Sequence, residues 1–438
     1  MTFALAKFIP RGSAVLMATT MASYMLGLLR DRTLARTFGA SVSLDSYNAA
    51  FLIPDFLFNL LVASGIAAAA VPLFTQLYAR TKKDAYAYMN SLLTSAVSVM
   101  ALIGILIGIF ASQLSFFVAP GLDEAGRQLV VHMMRILAVS SLLFAASNAF
   151  GAMLVAKKRF FAYGLSPVVY NIGIISGAVL LAPKFGIIGV AYGTVLGALF
   201  HFGVRFVGGM YSGWTWAFVP RFWETPEMKR TFVLMLPKMI GHPVEMLTFW
   251  VFAFFASFLA EGSITVLNFA RNFQSVPVSI LGIAMSTAIF PVLAEAVIAS
   301  REELRTVFRR IAGTILLTST AAAVLMFSIR HPLVALLLGG RAFDANAVTQ
   351  TAFVLGLFCL AIPTESLSHL FARAFYAKQD TVTPVVFSVV SLGIASVSAY
   401  MLIGTIGIAG LPLGFFFGSL VKSVGLFLLF TKQLNRQK

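Results

Sequence analysis

Long apolar runs separated by short polar segments organise this 438-residue chain. A helix needs about 20 mostly apolar residues to cross a hydrocarbon core about 30 Å thick. Runs of that order lie at 13–29, 47–77, 92–110, 130–154, 163–181, 187–207, 232–259, 267–294, 311–328, 352–376, 385–403 and 408–430. This pattern predicts an all-α polytopic membrane protein with about 12 transmembrane helices. Pro54, Pro237, Pro243 and Pro277 fall in or near these runs, where kinked or broken helices are expected.

The pattern repeats. Gly186, Gly189, Gly193 and Gly197 recur 221 residues later as Gly407, Gly410, Gly414 and Gly418. Ala156-Lys157 recurs at the same offset as Ala377-Lys378, each followed by a proline (Pro167, Pro384) that opens the next run. Gly65-Ile-Ala recurs as Gly282-Ile-Ala at an offset of 217, each followed by a proline (Pro72, Pro291). Glycine every fourth residue is common where membrane helices approach closely, but three matches in the same order point to duplication. The expected division is an N-terminal six-helix bundle (1–209), a cytoplasmic inter-bundle linker (210–229) and a C-terminal six-helix bundle (230–438). Six spans per half insert both halves the same way up, related by an axis along the membrane normal. Duplicated bundles of this kind bind substrate between their halves and alternate access by rocking.

Composition agrees. The chain is 59% hydrophobic and 11% charged, against about 25% charged in soluble domains, and its mean hydropathy is +0.91. The net charge of +16 leaves no soluble domain with which to bind nucleic acid. The positive-inside rule explains it instead. Lys7/Arg11, Arg80/Lys82/Lys83, Lys157/Lys158/Arg159, Arg221/Lys229/Arg230, Arg301/Arg305/Arg309/Arg310, Lys378 and Lys432/Arg436/Lys438 fall on one side, with far fewer basic residues on the other. That bias places both termini in the cytoplasm. Cys359 is the single cysteine, which excludes an intramolecular disulfide. Lys7 and Arg11 precede a long apolar run without a small-residue cleavage site, so the first span is expected to be retained. Trp214, Trp216 and Trp223 read as interfacial anchors between the halves.

No glycine-rich phosphate loop ending in Gly-Lys-Ser/Thr and no His-Glu-x-x-His occurs, and the five histidines are scattered. Neither an enzyme, a cofactor nor a metal site is implied. Work has to come from the membrane potential, a monovalent cation gradient or substrate supply. The candidate chemistry is the set of charged groups inside apolar runs, each costing roughly 2.5–3.5 kcal/mol to insert. With the amides beside them, Arg30, Asp31, Arg32, Asp45, Asp55 and Asn59 cluster in the first two spans; Lys238, Glu245, Asn268, Arg271, Asn272, Gln274, Glu365, His369 and Arg373 cluster in spans seven, eight and ten. Arg30-Asp31-Arg32 either marks the end of the first span or lines a polar cavity. Arg271 is either a cavity ligand or a side chain snorkelling to the interface. Basic groups in both halves suit an anionic ligand, because arginine binds phosphate oxygens through a planar fork.

Several motifs together resemble one family. They include Ser23-Tyr-Met-Leu-Gly27-Leu-Leu-Arg30-Asp31, Phe38-Gly39-Ala40, Asp45, Pro54, Val71-Pro72, Ala119-Pro120-Gly121, Lys158-Arg159-Phe160 and Ser166-Pro167. Ala256-Ser257-Phe258-Leu259, Leu281-Gly282-Ile283-Ala284 and the run from Ala372 to Pro384 complete the set, the last being the most specific. In order and over nearly the whole chain, these resemble the MurJ (MviN) lipid II flippases. The resemblance implies the multidrug/oligosaccharidyl-lipid/polysaccharide exporter fold. It also implies movement of the undecaprenyl-diphosphate-linked peptidoglycan precursor between leaflets of the bacterial inner membrane, with cell-wall synthesis proteins and membrane lipids as candidate partners.

The resemblance assigns the family's cavity arginine and its neighbouring acid to Arg30 and Asp31, with Arg32, Asp45, Asp55, Arg271, Asn272 and Lys238 as further substrate-binding candidates. Glu245 and Asp380 are candidates for ion coupling. The chain departs from the family pattern in places. Tyr24 stands where an arginine is frequent, and Phe58 and Asn59 stand where paired basic residues are. The span-eight arginine aligns with Asn272, one residue after Arg271, and an acid common in span seven aligns near Phe252. The family often has fourteen spans, against twelve counted here. Two alternatives therefore remain: a flippase for another polyprenyl-diphosphate oligosaccharide, and a cation-coupled drug antiporter of the same fold.

Overall fold

The computed structural model describes residues 11–436 apart from residue 242, without the side chains of residues 11, 13, 64, 67, 68, 236–243 and 436. The described residues are nearly all helical and form no strand. In order, the helices are α1 (Arg11–Phe38), α2 (Val42–Phe58), α3 (Ser64–Arg80), α4 (Lys82–Val118), α5 (Glu124–Ala156), α6 (Phe160–Ser176), α7 (Ala182–Phe185), α8 (Ile187–Met210) and α9 (Pro226–Gly241). They continue as α10 (Pro243–Ala256), α11 (Ser263–Pro277), α12 (Met285–Ala299), α13 (Arg301–Leu337), α14 (Ala345–Phe358), α15 (Ala361–Ala377), α16 (Val382–Ile406) and α17 (Gly410–Arg436).

Every apolar run expected from the sequence falls on helix. Three runs that contain prolines are interrupted by π-helical stretches, at Asn59–Ala63, Gly177–Leu181 and Val278–Ala284. In each, the helix widens locally and continues instead of stopping. Among the described residues, eight helices are long and apolar enough to cross a membrane, or nine if α14 and α15, bent by 44°, form one span. The difference from twelve has identifiable causes. The stretch Val382–Asn435 is 54 residues long, about 80 Å at 1.5 Å per residue, too long for one crossing. It is a hairpin: α17 folds back on α16 with Gly410, Gly414 and Gly418 against Leu402, Ala399 and Ser391 in turn. The other two runs fall on α1 and on α9 with α10, where residue 242 and the side chains of residues 11, 13 and 236–243 lie outside the described residues.

The duplication is visible in the backbone. Gly186 and Gly407, 221 residues apart, both have positive φ (57° and 59°) and each opens a helix. Lys158 and Gln379, also 221 apart, share the left-handed conformation at φ 57° and 62°. Asp123 and Asp344, at the same offset, cap α5 and α14 by accepting from the Gly126 and Ala347 amides, each at 2.8 Å. Thr81 and Ser300 cap α4 and α13, which are both 37 residues long. The repeated glycines do the same work in both halves. A Cβ on Gly193 would lie 2.4 Å from the Gly177 Cα, and one on Gly414 would lie 2.7 Å from the Ala395 carbonyl oxygen.

The chain forms two compact units, Met1–Pro243 and Val244–Lys438. α9 belongs to the first unit because it packs on α3 and α4: Gly65 on α3 lies directly under Met235, and Tyr88 on α4 shares a 2.8 Å hydroxyl contact with Thr231. The segment before α9 is stitched down as well, the Lys157 ammonium and the Tyr86 hydroxyl both donating to the Ser212 carbonyl at 2.6 Å. The interfacial role expected for Trp214 is corrected. Its ring lies edge-on to Phe150 at 4.9 Å and its indole N–H donates to Asn90 at 2.9 Å, so it is core. Trp216 and Trp223 are exposed. In the second unit the core centres on Phe308, Phe371 and Phe430.

One buried cation in the first unit is purely structural. Arg205 on α8 donates to Ser166 on α6 and to Asn148 and the Ser147 carbonyl on α5, and stacks on Tyr163. It thereby pins three helices with neutral acceptors. For the glycine seam, Gly193→Ala is expected to destabilise the chain by about 1–3 kcal/mol through overpacking. Gly313→Ala, whose Cβ would meet nothing within 4 Å, should be neutral or slightly stabilising. Thermal unfolding of both variants in detergent checks this, and equal melting temperatures would contradict the close contact.

Candidate functional site

The first unit gathers its charged groups around Arg30. The guanidinium donates through Nε (3.0 Å) and Nη2 (2.8 Å) to the same Asp31 oxygen, and through Nη1 to Asn171 Oδ1 at 3.2 Å. Asn171 is held in turn, its amide donating to the Pro167 and Ser23 carbonyls. Asn171 lies near the middle of the apolar run 163–181, so Arg30 sits at membrane depth and not at the end of a span. Arginine carries five N–H donors; three are engaged here. Two remain, on a side chain that keeps 27% of its surface exposed. Tyr47 and Tyr170 lie within electrostatic reach of Arg30, and Asp55 within reach of both tyrosines. Tyr47 is fixed by a 2.8 Å hydroxyl contact with Thr194.

The second unit treats its arginine differently. Arg271 on α11 makes a two-point pair with Glu365 on α15 (Nη1–Oε2 3.0 Å, Nη2–Oε1 2.8 Å) and reaches Glu245 on α10 at 3.0 Å. It also donates to Gln274, whose own amide donates to Glu365 at 2.8 Å. Phe249 and Phe415 cover the guanidinium at 4.6 and 4.9 Å. Four donors are engaged, leaving only Nε. Two carboxylates surround one cation, so this cluster carries a net negative charge, whereas Arg30 and Asp31 balance. An anion reaching Arg271 has to displace a carboxylate; one reaching Arg30 does not.

The remaining candidates are dispersed. Arg32 is half-buried on α1, with no hydrogen bond or ion pair among the described residues. Asp45 is buried in the first turn of α2, where the helix dipole favours an acid. The neighbouring Ser46 donates to the Gly126 carbonyl at the start of α5. Asp55 is half-buried ten residues further along α2, about 15 Å at 1.5 Å per residue. Asn272 is exposed, while Arg271 beside it turns into the buried cluster. The Lys238 side chain lies outside the described residues. Asp380 caps α16, accepting from the Val382 and Thr383 amides and from the Thr383 hydroxyl.

Sequence reading left Asn171, Phe249 and Phe415 out of the site, and kept Gln274 and Glu365 only as members of the polar set. Glu365 could have been found from its charge inside the run 352–376, as Asn171 could from its amide four residues after Pro167 in 163–181. The aromatic lids had no distinguishing signal among 42 phenylalanines.

Comparison with known proteins places these groups in a family context. The family model described as "Lipid II flippase MurJ" matches residues 34–438. The lipid II flippase MurJ of Burkholderia cenocepacia is 29% identical over 425 residues, covering 93% of this chain and 81% of that protein. A probable lipid II flippase MurJ of Thermotoga maritima is 27% identical over 395 residues, 90% of this chain and 80% of that protein. Among solved structures, lipid II flippase MurJ in an inward closed conformation matches with a TM-score of 0.80 at 21% identity, over 95% of this chain and 87% of that one. A multidrug resistance MATE family transporter of the MOP superfamily also reaches 0.80, at 15% identity, over 96% and 98%. At these identities the two structures establish the shared fold.

Removing one partner of a buried ion pair strands the other charge, at about 3–5 kcal/mol. Glu365→Ala is therefore expected to lower the melting temperature sharply, and the double variant Glu365→Leu/Arg271→Met to recover much of the loss. A melting temperature unchanged in Glu365→Ala would show that Arg271 does not depend on this carboxylate.

Proposed function

The chain belongs to the MurJ family of lipid II flippases, and on that premise we propose that it moves the undecaprenyl-diphosphate-linked disaccharide-pentapeptide from the inner to the outer leaflet by alternating access. The observation that carries this reading is the state of Arg30. A guanidinium at membrane depth, fixed in place by Asp31 and Asn171 and still holding two N–H donors, matches what a diphosphate needs from its receptor. Asp31 and Asn171 orient the fork; the diphosphate takes the remaining donors. The polyprenyl tail stays in lipid throughout, since burying it in protein gains nothing over the bilayer.

The cell potential supplies direction. An inside-negative membrane favours outward movement of an anion by about 2.3 kcal/mol per charge per 100 mV, so no nucleotide is required. The carboxylate excess around Arg271 supports a second role for the second unit, the coupling of a monovalent cation at Glu245. Arg271 serves the same anion only after exchanging a carboxylate, which makes it a conditional ligand and Arg30 the primary one. The charge bias along the chain supports residence in the bacterial inner membrane with both termini cytoplasmic.

The test is precursor exposure on the outer leaflet of cells depleted of their own flippase. Wild-type chain is expected to restore exposure. Arg30→Ala is expected to abolish it at normal protein level, and Arg30→Lys to restore it only in part, because an ammonium lacks the fork. Full exposure in Arg30→Ala would overturn the assignment of Arg30. No exposure with well-inserted wild type would shift the cargo to another polyprenyl-linked sugar.

A further inference from the structure

A cavity of the first unit lies away from Arg30. It is an elongated groove of about 1250 Å³ between α1, α6 and α8. Its walls are apolar, among them Val15, Phe161, Leu165, Leu199, Val204 and Val207, and one end is bounded by Lys158 and Arg159. Along α8 it runs from Leu199 to Tyr211, about 18 Å at 1.5 Å per residue. That is close to one leaflet of a hydrocarbon core about 30 Å thick. We propose that this groove binds one anionic phospholipid, with an acyl chain against α6 and α8 and the phosphate on Lys158 and Arg159.

Two observations separate this groove from ordinary lipid contact. The first is charge. Of the three successive basic residues after α5, Lys157 is committed inward, to Tyr86, Ser212 and the Tyr78 ring. Lys158 and Arg159 are exposed, with no ion pair among the described residues. An anionic headgroup is the complement that an apolar groove with a doubly basic mouth accepts, and juxtamembrane lysine and arginine attract such headgroups.

The second is the internal repeat, which serves as a control within the same chain. At the offset of 221, Lys158 and Arg159 correspond to Gln379 and Asp380, and the groove glycines Gly203 and Gly208 to Val424 and Leu429. The second half has kept the turn, with Gln379 at the same positive φ, but carries neither the basic pair nor the two glycines. The basic pair and the two glycines therefore occur together in the first half and are absent together from the second.

Gly203 provides a clean probe, since a Cβ there meets nothing within 4 Å and a larger side chain would enter the groove without touching the core. The experiment is native mass spectrometry of the full purified chain, titrated with palmitoyl-oleoyl phosphatidylglycerol or with phosphatidylcholine of the same chains. The wild type is expected to retain one phosphatidylglycerol in preference to phosphatidylcholine. Lys158→Ala/Arg159→Ala should weaken phosphatidylglycerol at least about tenfold and leave phosphatidylcholine unchanged, while Gly203→Leu should weaken both. Melting in lipid-free detergent confirms the fold, and if the double charge variant does not fold, Gly203→Leu alone decides. Wild-type retention by Gly203→Leu would overturn the site. Displacement of phosphatidylglycerol by equimolar undecaprenyl diphosphate would overturn the phospholipid as its occupant.

Discussion

A guanidinium inside an apolar helix has to be compensated by protein, because lipid offers neither charge nor hydrogen bonds. How completely it is compensated decides what it can still do. Arg205 is satisfied by serine and asparagine acceptors and an aromatic face, and holds three helices together. Arg271 is saturated by two carboxylates and a glutamine between two phenylalanine rings. Arg30 is oriented by Asp31 and Asn171 but not saturated. Arg205 and Arg30 each engage three of their five donors, so the difference between structural clamp and open receptor lies in exposure and partners. Arg205 is 5% exposed among neutral acceptors, whereas 27% of the Arg30 side chain stays exposed beside a single carboxylate.

Duplication explains how one chain came to hold such different sites on equivalent frames. The capping aspartates, the left-handed turns at Lys158 and Gln379, and the helix-opening glycines at 186 and 407 have been kept in both halves. Each fixes backbone geometry that the fold requires. Side chains that only face a cavity or lipid have been free to diverge. Divergence put a cation with donors to spare in the first half and a carboxylate-rich cluster in the second, which fits a division between anion binding and cation coupling.

The fold was legible in the sequence because its main determinant, continuous apolar length, is a one-dimensional property. The glycine repeat was legible for a related reason: only glycine allows backbones as close as those at Gly193 and Gly177. The site was legible in part. Arg30 and Asp31 stand out because two charges interrupt an apolar run. Their partner Asn171 is 140 residues away from Asp31 in sequence, and only the packing of α1 on α6 joins them. Arg271 was identified, but its saturation by Glu365, 94 residues on, follows from the packing of α11 and α15. Trp214 failed for the same reason, since a tryptophan in a polar linker gives no sign that Asn90 and Phe150 will enclose it.

Transport by the purified chain alone tests the central claim most directly. The protein would be reconstituted into vesicles with labelled lipid II, without nucleotide, and the fraction of label accessible to an impermeant reagent followed over time. An accessible fraction rising well beyond that of protein-free vesicles is expected if Arg30 receives the diphosphate and no other energy source is needed. An accessible fraction equal to that of protein-free vesicles, with the protein folded and inserted, would contradict it.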